Sequence, residues 1–141
     1  CLAIGATADL LTPGLHGSTF GGNPVCTAAA LAVLKALADE DLITRADVLG
    51  KALSHDIEAL GHPLVDHVRG QGLLRGIVLT APRGRAVELA ARDAGFLVNA
   101  AAPDVIRLAP PLVVTEAQLG AFVAALPAVL DTATAAVEEN S

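Results

Sequence analysis

Between Leu42 and Leu60 the apolar residues Leu42, Ala46, Leu49, Leu53, Ile57 and Leu60 recur three or four positions apart, with Arg45, Asp47, Lys51 and Glu58 between them. A period near 3.6 lays such residues along one stripe, so the segment predicts an amphipathic helix whose apolar face is committed to a core. Gly61, His62 and Pro63 then end it, because glycine suits a left-handed terminal residue and proline disfavours helical backbone just before itself. Beyond this turn the period changes. Val65 to Gln71 and Leu73 to Thr80 are two β-prone runs parted near Gly72, which predicts an antiparallel hairpin. A one-sided helix followed directly by a hairpin constrains the chain to helices layered on a sheet.

The remaining residues extend that layer. After Pro82 and Gly84, a helical stripe of Ala86, Leu89, Ala90 and Ala94 is closed by Gly95. Phe96 to Asn99 and Val105 to Leu108 predict two further strands, the second stopped by Pro110 and Pro111. Thr115 and Gln118 have capping-box spacing ahead of a stripe of Leu119, Phe122, Val123, Leu126 and Leu130, and Pro127 is expected to kink or divide that helix. Residues 39–141 are therefore expected to form a small α/β domain, with helices on a largely antiparallel sheet. Residues 1–38 are expected to end a larger domain. There Pro24 to about Leu37 is apolar on nearly every face, which predicts a helix buried on all sides, with Cys26 packed inside it.

A length of 141 residues with 53% hydrophobic content can bury a core, yet the chain opens on Cys1 and holds no Met, so it is expected to be part of a longer protein. A net charge of -6 with nine scattered Lys and Arg residues leaves no basic surface for nucleic acid. Lys35, Pro110, Pro111, Pro127 and Asp131 interrupt the apolar runs, so no membrane span of about 20 residues is expected. No signal peptide is visible, and a soluble, cytoplasmic protein is the expectation. His16, His55, His62 and His67 share no ligand spacing with Cys, Asp or Glu, and no metal is assigned. Asp39, Glu40 and Asp41 are most simply helix-start electrostatics.

The segment His16-Gly17-Ser18-Thr19-Phe20-Gly21-Gly22-Asn23-Pro24 concentrates the chemistry. Asn23 is a good N-cap and Pro24 suits the first helical position. A helix start presents unpaired N–H groups and positive potential, while Ser18 and Thr19 add hydroxyl donors, a combination suited to a phosphate. The ending of a Walker loop is absent. On these residues alone a phosphate site and a merely capped turn both remain open.

The same segment, continued through Val25-Cys26-Thr27-Ala28-Ala29-Ala30-Leu31-Ala32-Val33-Leu34, resembles the phosphate-contacting segment of the class III, pyridoxal-phosphate-dependent aminotransferases, most closely their acetylornithine and ornithine branch. The resemblance implies the C-terminal part of a fold-type I transferase and pyridoxal 5'-phosphate as cofactor. Thr19 would contact the cofactor phosphate across a homodimer interface, with Ser18 beside it. Val68-Arg69-Gly70-Gln71-Gly72-Leu73-Leu74-Arg75-Gly76 resembles the family's entry into the small domain, and Arg69 and Arg75 are expected to be surface or interface charges.

Arg107, between Ile106 and Leu108, is costly to bury without an anionic partner, and on the residues alone a structural pair with Asp or Glu is slightly favoured. Val105-Ile106-Arg107-Leu108-Ala109-Pro110-Pro111-Leu112 also resembles the family's second fingerprint, which implies that Arg107 holds the α-carboxylate of 2-oxoglutarate or glutamate. Pyridoxal chemistry needs a Schiff-base lysine. Only Lys35 and Lys51 are present, both in helical patterns away from the motifs, so no catalytic residue is assigned and the segment alone is expected to be inactive. The implied reaction exchanges an amino group between N-acetylornithine and 2-oxoglutarate. Ornithine, succinylornithine and 4-aminobutyrate aminotransferases, or a non-catalytic dimerisation or anion-binding module, are the alternatives.

Overall fold

The computed structural model describes residues 4–10, 12, 14 and 17–135, so Cys1 and His16 lie outside the described residues. A first unit comprises Cys1–Asp39 and a second Glu40–Ser141. In the first, a 3-10 turn at Gly5–Leu10 precedes helix α1, Pro24–Asp39. The helix begins at Pro24 as predicted; within this chain none of its residues is buried and Cys26 is exposed. A helix apolar all round needs partners on every side. Among its described residues the first unit has no second α-helix or strand to provide them.

The second unit contains α2 (Leu42–Ala59), β1 (Val65–Gln71), β2 (Leu74–Leu79), α3 (Gly84–Asp93), β3 (Asn99–Ala102), β4 (Val105–Leu108) and α4 (Glu116–Ala135). Its strands run in the order β1-β2-β4-β3, every neighbouring pair antiparallel. The hairpin register pairs Gln71 with Leu74, leaving Gly72 and Leu73 as the two turn residues, and Gly72 adopts φ +54°. One face of the sheet is covered. Ile77, Leu79, Ile106 and Leu108 point into a core shared with Leu53 and Ile57 of α2, Val87 and Ala91 of α3, and Phe122, Leu126 and Leu130 of α4. Burial alternates along β2 and β4, as period-2 side-chain geometry requires, leaving the opposite face open.

The end of α3 shows how its register is held. Gly95 takes φ +88°, its N–H bonds to the Arg92 carbonyl at 3.0 Å, and the Phe96 N–H bonds to the Ala91 carbonyl at 2.8 Å, which completes a Schellman motif. That motif moves the following strand. Phe96 is drawn toward Phe122 at a ring-centroid distance of 5.4 Å, so β3 starts at Asn99 rather than at Phe96.

Two further expectations change. Helix α4 passes through Pro127 undivided, and its 20 residues include an 18-residue window with a mean hydropathy of 1.3, so it has the length and composition of a membrane span. Here its Leu126 and Leu130 are instead core residues, 1% and 0% exposed. Asp41 stands at the N-cap of α2, where helix-start electrostatics places an acidic residue, although it adopts φ +47° and makes no side-chain cap bond. Arg75 is buried at 9% exposure rather than a surface charge, because β2 alternation turns it inward, where its Nη1 donates to the Gly70 carbonyl at 2.9 Å and its Nε has no partner. Gly50 of α2 lets the hairpin approach, since a Cβ there would lie 1.8 Å from the Gly72 carbonyl oxygen.

Candidate functional site

Two features carry the candidate chemistry, one in each unit. In the first unit, the Asn23 side-chain oxygen accepts the Cys26 N–H at 3.0 Å, and its backbone carbonyl accepts the Thr27 N–H at 3.0 Å. Asn23 therefore caps α1, as its sequence position predicts. This capping also removes one helix-end donor from any ligand. Ser18 Oγ accepts the Gly21 N–H at 3.0 Å, folding the loop back on itself while leaving the hydroxyl proton to be donated elsewhere. Thr19 is exposed, and its hydroxyl bonds to none of the described residues. The donors available to an anion are consequently the Ser18 and Thr19 hydroxyls more than the helix end itself. That donor set fits the phosphate of pyridoxal phosphate.

In the second unit, Arg107 projects from β4 to the open face of the sheet and is exposed. Ile106 and Leu108 on either side face the core, so strand alternation alone sets its direction. No carboxylate among the described residues pairs with it. Its strand is anchored from behind: Arg45 Nη1 donates to the Leu112 carbonyl at 2.7 Å, and Arg45 Nη2 donates to the Val114 carbonyl. The stiff Pro110-Pro111 link joins that anchor to β4.

Both lysines are occupied on helix surfaces. Lys35 pairs with Asp39 and Lys51 with Asp47, each one turn away and exposed. Among the described residues no three His, Cys, Asp or Glu side chains gather as a metal site would need.

Residues 2–130 match the family aminotransferase class-III. The chain belongs to this family. The acetylornithine aminotransferase of Mycolicibacterium smegmatis is 79% identical over 133 residues, which make up 94% of this chain and 34% of that protein. Among solved structures, acetylornithine aminotransferase from Elizabethkingia anophelis aligns with a TM-score of 0.75 at 40% identity, over 87% of this chain and 34% of that one. Ornithine aminotransferase from Toxoplasma gondii ME49 aligns with a TM-score of 0.74 at 32% identity, over 96% of this chain and 32% of that one. This class III chain thus spans about a third of the length of the relatives it matches.

One feature of the site escaped the sequence reading. Arg69, exposed as expected of a surface charge, lies in register with Gly76, which in turn pairs with Arg107. Counting outward from the Gly72 turn yields the first pairing, but the placement of β4 beside β2 is long-range and no local pattern encodes it.

Proposed function

We propose that this chain supplies the C-terminal third of an acetylornithine aminotransferase, exchanging an amino group between N-acetylornithine and 2-oxoglutarate. The observation that carries the reading is Arg107, a guanidinium held on an open sheet face without an acidic partner among the described residues. A planar fork in that position suits bidentate capture of the α-carboxylate common to both amino-acid and oxo-acid substrates. The 79% identity to a relative named acetylornithine aminotransferase supports the choice of donor.

Pyridoxal phosphate, when bound, supplies the electron sink that makes bonds at the amino-bearing carbon labile. Ser18 and Thr19 hold its phosphate through their hydroxyls, and Gly21 keeps Ser18 oriented by donating its N–H to Oγ. Arg107 fixes the substrate's carboxylate end. Lys35 and Lys51, engaged with Asp39 and Asp47, contribute no base, so the reading assigns the reactive lysine to sequence upstream of Cys1. It also makes the enzyme a homodimer with shared sites, in which Thr19 serves the partner's cofactor. The uncovered Val25, Leu31, Val33 and Leu34 of α1 support a larger assembly around the first unit.

The test is spectroscopic. Full-length protein loaded with pyridoxal phosphate should change its visible absorbance on addition of N-acetylornithine. A change with ornithine and none with N-acetylornithine would replace the donor, a second reading favoured by the likeness to the Toxoplasma gondii ornithine aminotransferase.

A further inference from the structure

The chain leaves β4 at Leu108 through a strap, Ala109 to Val114, that has little of its own to hold it. Pro110 and Pro111 carry no N–H to donate. Outside the sheet ladder, the hydrogen bonds of residues 109–114 among the described residues are the Val114 N–H to the Pro111 carbonyl at 2.9 Å and those that Arg45 donates to the Leu112 and Val114 carbonyls. Packing along the strap is incomplete as well. A cavity of about 290 Å³ beside Phe122 and another of about 570 Å³ beside Ala46 and Leu74 both have Ala109 and Pro110 in their walls. The strap is fastened at its far end, where Val114 is 7% exposed against Ala46 and Leu49 and where Arg45, on the same helix α2, grips the carbonyls.

That strap begins beside Arg107. Burial alternates from Ile106 through Ala109, so Ala109 stands next to Arg107 on the open face, and a shift of the strap moves the wall beside the guanidinium. The stiff proline pair passes such a shift along instead of absorbing it. Arg45 forms no ion pair among the described residues, and both of its terminal nitrogens are spent on the strap. A planar fork that bonds two carbonyls at once fixes their orientation as well as their distance.

We infer that Arg45 is a positioning residue for substrate binding: acting through the strap, it holds the surroundings of Arg107 in the geometry that receives a carboxylate. The inference rests on the reading of Arg107 as a carboxylate ligand. Arg45 itself makes no contact with the acid in this arrangement.

Steady-state kinetics of the full-length holoenzyme test it. Arg45→Met should raise KM for the amino donor and the oxo-acid acceptor alike by about three- to tenfold while kcat stays within about twofold, because binding geometry is disturbed and the chemical step is not. Arg45→Lys, whose ammonium can still reach one carbonyl, should lie between the two. Val87→Ala on α3 also lowers the urea midpoint, by opening the core, and should leave both KM values within about twofold of wild type. Arg107→Gln should raise KM, and adding Arg45→Met to it should change KM by less than about a further twofold, since no fork is left to position. Arg45→Met with both KM values within twofold of wild type, or with an undiminished effect in the Arg107→Gln background, overturns the positioning role alone. An Arg107→Gln enzyme with unchanged KM instead defeats the carboxylate reading, and the positioning role falls with it. Should Arg45→Met fail to fold, Arg45→Gln decides by the same criteria.

Discussion

Arg45 on α2 donates to the carbonyl of Leu112, 67 residues away in sequence, at 2.7 Å, and its second terminal nitrogen donates to the carbonyl of Val114. One side chain thereby satisfies two loop carbonyls and fixes the segment that follows the Arg107 strand. Arg45→Met keeps much of the stem but removes both bonds, and should cost about 1–3 kcal/mol in urea denaturation. Amide exchange at Val114, whose N–H bonds to the Pro111 carbonyl at 2.9 Å, should accelerate more than exchange at Ile77.

The same substitution at two helical glycines should have opposite signs. Alanine at Gly50 would place its Cβ 1.8 Å from the Gly72 carbonyl oxygen and 2.9 Å from Arg75 Nη2. The hairpin must move, so Gly50→Ala should destabilise by about 2 kcal/mol or more despite the better helix propensity of alanine. Nothing lies within 4 Å of a Cβ at Gly120 in α4, so Gly120→Ala should gain up to about 1 kcal/mol. Urea midpoints of the two variants, shifted to opposite sides of the parent, check this.

Thr19 bonds to none of the described residues, so its loss should barely affect folding. In the full-length protein Thr19→Ala should release pyridoxal phosphate faster during dialysis while unfolding stability stays within about 0.5 kcal/mol of the parent. Equal cofactor retention in the variant would remove Thr19 from the phosphate site.

Thr115 and Gln118 form a reciprocal cap at the start of α4. The Thr115 N–H donates to Gln118 Oε1 at 2.9 Å, and the Gln118 N–H donates to Thr115 Oγ1 at 3.2 Å. Thr115→Ala should cost about 1 kcal/mol, and Thr115→Ser should retain most of the stability, as read from thermal unfolding.

Much of this architecture was legible residue by residue. The α2 stripe, the Gly72 hairpin, the Gly95 terminus and the Thr115 cap all arise from interactions within a few positions, which a linear reading can count. The β3 start was not, because Phe96 is claimed by Phe122 on a distant helix. Nor was the fate of Arg75: it sits in a motif read as exposed, yet β2 alternation turns it beneath the hairpin.

For the candidate site the division is sharper. Sequence alone determined that Asn23 caps a helix beginning at Pro24, that Ser18 and Thr19 precede it, and that Arg107 stands in a strand ended by prolines, since each depends on neighbours along the chain. Only the tertiary structure decided that Arg107 looks onto an open face without an acidic partner among the described residues, and that Arg69 shares this face across Gly76. Those facts depend on which strand pairs with which and on what surface meets each helix. Such contacts are made between residues far apart in sequence, where local period and capping chemistry carry no information.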